Sequence, residues 1–228
     1  MNIQGQSAFV TGGGSGLGEA VAREDVRFQK LVEQLKVNVK GTRNVVKAVL
    51  ETGATRLIHT SSLVAYGLHG GTVTEDTPPR GLGSAINYVR SKALAEREVR
   101  AGISKGLDAV ILNPGHVIGR HDLRNWSRVF RLVESGQLPT VPGGGGSFCH
   151  VRSVVRAHVA AVDRGRSGAN YVLGGADSSY IGLVRMVARM RVSSVMLPAS
   201  SCGTLRSARM NTRLPASGSS LSRRNFMD

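Results

Sequence analysis

The sequence predicts an α/β fold built around a mostly parallel sheet, reduced in strand number, on three observations. Short β-rich apolar runs alternate with longer amphipathic stretches. Each run closes on Gly, Ser or Pro, as buried strands do where their carboxyl ends open into loops. A glycine-rich turn follows the first run directly.

Taken in order, the first strand is expected at residues 7–10. From Gly18 to Gly41 the chain has no Gly or Pro, and Val21, Phe28, Leu31, Val32 and Leu35 recur at helical spacing. That predicts one long helix or two joined helices, with LKVNV at 35–39 open to a short strand instead. Further strands are expected at 56–60 (RLIHT), 109–113 (AVILN) and 170–173 (NYVL), and helices at about 88–101 and about 126–134. Trp126, Val129, Phe130 and Val133 give the latter an apolar face suited to packing or to a lid over substrate. The glycines at 143–146 predict a flexible loop.

A chain of 228 residues is long enough to bury a core, and 41% hydrophobic content excludes collagen-like and wholly disordered classes. Cys149 and Cys202 lie far apart without C-x-x-C spacing, and the six histidines lack ligand spacing, so no disulfide framework and no metal site are expected. With no basic leader and no long apolar run, the expectation is a soluble, cytoplasmic protein without membrane contact. The net charge is +15, and +7 of it falls in residues 185–228, a Ser- and Arg-rich stretch expected as a disordered tail. Its arginines leave a nucleic-acid partner open as a reading, though no aromatic residues interleave them. The chain thus divides into a domain at 1–184, with a small substrate-covering region at about 120–150, and the tail at 185–228.

Two constellations carry chemistry. The turn at 11–18 (TGGGSGLG) lies between a strand and an expected helix, so Gly12, Ser15, Gly16, Leu17 and Gly18 form either a dinucleotide cradle or a flexible turn. Glu33 stands near the distance of a ribose-binding carboxylate, but in a helical pattern. Downstream, Thr60, Ser61 and Ser62 place hydroxyls at a strand's carboxyl end, and Tyr88 precedes Lys92 by one helical turn. On one helix face the ammonium is expected to lower the phenol's pKa and fit it for proton exchange with a carbinol or carbonyl oxygen, which Ser62 would orient.

The runs VNVKGTRNVVKAV, RLIHTSSLVAYG, YVRSKALAE, ILNPGHVIGRHD and GANYVLGG, in this order, resemble the short-chain dehydrogenase/reductase superfamily. They resemble its extended epimerase/dehydratase branch, dihydroflavonol reductase-like or hydroxysteroid dehydrogenase-like. The resemblance implies a three-layer Rossmann-like fold with NAD or NADP as cofactor and a small-molecule substrate; a homodimer is compatible with it. It implies Ser62 on the substrate oxygen, Tyr88 as acid/base and Lys92 on the nicotinamide ribose. Asn38 would lie near the proton relay, and Thr60 and the stretch from Asn113 through Pro114 and His116 to Val117 beside the cofactor. The chain departs from the pattern in four places. Ser15 stands where the extended branch has glycine, Ser153 where relatives often have Asp, and the tail is atypical. Only eighteen residues separate Gly18 from VNVKGT, where the family has three strands. The junction falls near 23–25, and the first strand is expected to pair directly with 56–60. The activity expected is that of an NAD(P)-dependent oxidoreductase or epimerase/dehydratase, with an inactive remnant and a basic nucleic-acid-interacting protein as alternatives.

Overall fold

The computed structural model describes residues 8–12 and 35–195. Strands β1 (Ala8–Gly12), β2 (Arg56–Thr60), β3 (Ala109–Pro114) and β6 (Asn170–Leu173) form one four-stranded sheet, every pair parallel, in the order β1-β2-β3-β6. The strands expected at 56–60 and 170–173 have those bounds; the other two extend slightly further. β1 lies directly against β2, Gly12 opposite Thr60, as the shortened N-terminal half requires.

Side chains alternate across the sheet and so divide the core between its two faces. Leu57, Ala109 and Ile111 meet Val46 and Val49 of α1 (Gly41–Thr52), Val99 of α2 (Asn87–Ile103) and Leu107. Ile58, Val110 and Leu112 meet Ala161 of α4 (Val151–Arg164) on the other side. The result is a three-layer fold in which β3, buried along its whole length, is covered on both faces. Arg56 fastens the lower end: its guanidinium binds Asp108 at 2.8 Å and the carbonyls of Ala161 and Val162 at 3.0 and 2.9 Å.

The stretch LKVNV is not a strand. Residues Leu35–Lys40 form a π-helical turn that runs into α1. Leu35, Asn38 and Val39 turn inward and Val37 stays 61% exposed, a helical rather than a two-residue period. The upstream part of the expected helix, at 18–34, lies outside the described residues.

A second sheet holds β4 (His116–Ile118), β5 (Gly145–His150) and β7 (Ala176–Ser179), with β4 and β5 parallel and β5 and β7 antiparallel. The loop expected at 143–146 is therefore corrected, because Gly145 and Gly146 are paired with Ser179 and Ser178. Gly115, between β3 and β4, lets the chain pass the Ser147 carbonyl, which a Cβ there would strike. Helix α3 (Trp126–Glu134) begins where Asp122 accepts the amides of Arg124, Asn125 and Ser127. It packs on α5 (Tyr180–Val195). Helix α5 crosses the tail boundary expected at 185, so the absence of regular structure expected there is corrected up to Val195. The rest of the tail lies outside the described residues. Among those described, no helix is long and apolar enough to cross a membrane.

Candidate functional site

Parallel register brings the carboxyl ends of the strands to one edge. Gly12 stands opposite Thr60, Thr60 opposite Leu112, and Asn113 and Pro114 follow at the end of β3. After β2 the chain turns through Ser61 and Ser62 into a 3₁₀ turn at Leu63–Tyr66. The Ser62 hydroxyl caps that turn by accepting the Val64 amide at 3.4 Å, and Gly67, at φ 94°, closes it. This geometry holds Ser62 above the sheet edge, facing the first turn of α2.

There Ser62 acts on the phenol of Tyr88, opposing the rise that burial gives its pKa. Lys92 lies one turn further along α2 with its Nζ 5.9 Å from the centre of the Tyr88 ring. Asn38 reaches the same helix from the π turn: its Nδ2 donates to Ser91 Oγ at 3.0 Å, and Ser91 Oγ donates to the Tyr88 carbonyl at 2.9 Å. Ser62, Tyr88, Lys92 and Asn38 are therefore gathered in one place. The Thr60 hydroxyl faces the opposite side of the sheet. It meets His158 Nε2 at 2.7 Å, while His158 Nδ1 lies 2.8 Å from the Val154 carbonyl. A carbonyl can only accept, so Nδ1 carries the proton and Nε2 accepts from Thr60. Pro114 is buried at the end of β3, whereas Val117 belongs to β4 and pairs with Cys149. Ser15, Gly16, Leu17 and Gly18 lie outside the described residues.

The electrostatics correct one expectation. Burial pushes the Tyr88 phenol above its usual value, with Ser62 as the opposing influence. Lys92 sits over the ring face rather than at the hydroxyl, and it does not bring the phenol down. Although 42% of Tyr88 is exposed, its surroundings still penalise the phenolate. Lys92 is only 6% exposed, and burial lowers its pKa against the pull of Glu96.

Several residues that no motif marks complete the surroundings. Glu96, 8% exposed, accepts from Ser61 Oγ at 2.5 Å, Asn113 Nδ2 at 2.6 Å and Asn170 Nδ2 at 3.2 Å. Its one trace in the sequence is a carboxylate on the buried face of α2, one turn after Lys92. His59 is 4% exposed, and burial, then the Lys92 charge, depress it to about 4. An unfolded histidine titrates near 6.5, so between about pH 6.5 and 4 the unfolded chain takes a proton that the folded one refuses. The stability that the neutral ring contributes is whole above that window and lost on acidification, on the order of 3 kcal/mol. Melting temperatures at about pH 7 and pH 4.5 should accordingly fall further apart in the native chain than in H59Q.

Beside the site, His116 packs among Phe148, Trp126 and Tyr180, with ring centres 4.9, 5.2 and 5.6 Å away. Its Nε2 lies 3.2 Å from the Tyr180 hydroxyl, and burial lowers its pKa. Trp126 therefore packs against the second sheet from the start of α3. No group of three or more His, Cys, Asp or Glu among the described residues could hold a metal.

With this geometry in view, comparison with known proteins finds that the family model described as "NAD dependent epimerase/dehydratase family" matches residues 17–174, more than half of the chain. The chain is 32% identical over 147 residues to sterol demethylase protein B of Methylococcus capsulatus, covering 63% of this chain and 44% of that protein. It is 32% identical over 169 residues to a putative dihydroflavonol 4-reductase of Synechocystis, covering 69% and 48%. It thus spans about half the length of the curated relatives it matches. Among solved structures, the crystal structure of gox2253 superposes with a TM-score of 0.70 at 30% identity, covering 83% of this chain and 57% of that one.

Proposed function

The chain belongs to the NAD-dependent epimerase/dehydratase family, and from that premise we propose that it binds NAD or NADP along the carboxyl edge of its parallel sheet and exchanges a proton with an alcohol or carbonyl oxygen of a small molecule through Tyr88. One observation carries the reading: the buried ammonium of Lys92 lies 5.9 Å from the centre of the Tyr88 ring, one helical turn away, at the end of the sheet where Ser62 stands.

The residues present fit a nicotinamide cofactor. The ion pairs among the described residues join Arg43 to Glu98, Lys47 to Glu51 and Arg56 to Asp108, and Lys92 is in none of them. A cation taken out of water needs strong acceptors, and the vicinal hydroxyls of a ribose supply them without adding a second buried charge. Lys92 would hold that ribose, with Pro114 and Val117 beside the nicotinamide and the turn from Gly12 to Gly18 at the pyrophosphate. The bound nicotinamide supplies the hydride donor or acceptor that no side chain can provide.

The remaining chemistry belongs to the chain's own residues. Ser62 donates to the substrate oxygen and stabilises charge developing there. Tyr88, whose raised pKa keeps its proton at neutral pH, gives that proton to the oxygen in the reducing direction and regains it in the oxidising one. Asn38, acting through Ser91, fixes the start of α2 so that the phenol faces Ser62.

The test is titration of the purified chain with NADH and with NADPH, following both nicotinamide emission and quenching of Trp126, the sole tryptophan. Saturable binding of at least one is expected; a linear response to both would defeat the enzyme reading in favour of a remnant.

A further inference from the structure

The buried carboxylate of Glu96 has no part in the proton path above, yet it has more side-chain hydrogen bonds from distant segments than any group of that path. Its donors come from the loop after β2 (Ser61), the end of β3 (Asn113) and the start of β6 (Asn170), while it stands on α2 itself. Asn113 is fully buried, and its Nδ2 also donates to the Ser62 carbonyl at 3.1 Å. Its Oδ1 accepts from Asn170 at 2.9 Å, and Asn170 Oδ1 accepts from Arg100 at 2.6 Å. Every polar atom of the amide pair is thereby engaged around one carboxylate. A buried carboxylate is costly unless its lone pairs are filled, and here neutral donors fill them instead of a contacting cation. Such an arrangement gives little net stability for its desolvation cost, whereas it fixes the relative position of the parts it joins.

What it joins is the site. Ser62 follows Ser61 in the loop that Glu96 holds; Tyr88 and Lys92 precede Glu96 on α2. We infer that Glu96 is a positioning residue, holding the loop that carries Ser62 against the helix that carries Tyr88 and Lys92. The inference rests on the proposed roles of those three residues. The Glu96 charge also acts on Lys92 from one turn away, opposing the burial that lowers the lysine's pKa, while His59 faces Lys92 from β2.

The test uses the full chain labelled with ε-¹³C lysine. There are six lysines, and the Lys92 signal is assigned by its absence in K92M. Removing the carboxylate in E96Q is expected to lower the Lys92 titration midpoint by roughly one pH unit. NADH affinity should weaken about tenfold, with a melting temperature close to that of the native chain. E96D keeps the charge, and its midpoint should return toward the native one. A folded E96Q with the native Lys92 midpoint and native NADH affinity would overturn the inference. Should E96Q fail to fold, S61A removes one of the three donors without adding bulk. It must then move the Lys92 signal and weaken NADH at least twofold, and native behaviour there overturns the inference equally. If the native chain binds neither cofactor while S61A, which removes no charge, still moves the Lys92 signal, the positioning role stands and the proposed function falls.

Discussion

Tyr88→Phe should reduce turnover of alcohol or carbonyl compounds by about 10²–10⁴-fold, the range for losing a positioned proton donor, while fold and cofactor affinity stay near native. The structure makes this a clean substitution. Tyr88 is 42% exposed, and Ser62 keeps its bond to the Val64 amide. The direction of the phenol's shift adds a signature. With its pKa raised by burial, Tyr88 is protonated across the neutral range, so reduction should hold a plateau there and decline only in alkali. Oxidation, which begins from the deprotonated phenol, should rise with pH over the same span. Rates for a panel of ketones and secondary alcohols, followed by nicotinamide absorbance in native and Y88F chains, check both points. Equal turnover in the two chains would remove Tyr88 from the mechanism.

The parts of this fold that the sequence announces are those whose local pattern and tertiary fate agree. Leu57, Ile58 and His59 are buried consecutively, as are all residues of β3, because a parallel sheet covered on both faces needs uninterrupted runs. Tyr88 and Lys92 are equally legible, since both lie within one turn of one helix. The second sheet is not. β4 has three half-buried residues, β5 begins with two glycines and β7 reads ADSS, so each is a strand through its partner rather than through propensity. Asn38 is marked in the sequence by resemblance alone; what places it is a π turn that a five-residue alternation disguises. Glu96 was invisible for another reason. Its partners lie 17 to 74 residues away, and a lone glutamate says nothing until Ser61, Asn113 and Asn170 converge on it.

Lys92→Met should separate function from stability in opposite directions. In the folded chain the ammonium is 6% exposed and burial lowers its pKa, which means that folding disfavours the charged form relative to water. Below its unfolded pKa near 10.5 the charge is therefore a cost to the fold, offset in part by Glu96 and by the Tyr88 ring. Methionine fills a similar volume without that cost, so K92M should melt no lower than the native chain, and its stability should gain nothing from alkaline pH. Cofactor affinity should move the other way. Each charge-assisted hydrogen bond to a ribose hydroxyl is worth about 1.5–3 kcal/mol, so losing one weakens binding roughly 10- to 150-fold. His59 gives an internal control: without the neighbouring cation its depressed pKa should rise, and the acid limb of the stability curve should move with it. A K92M chain that binds NADH as the native chain does would place the ribose elsewhere. One that melts far lower would make Lys92 a structural residue, held in the core for the contacts of its stem rather than for its charge.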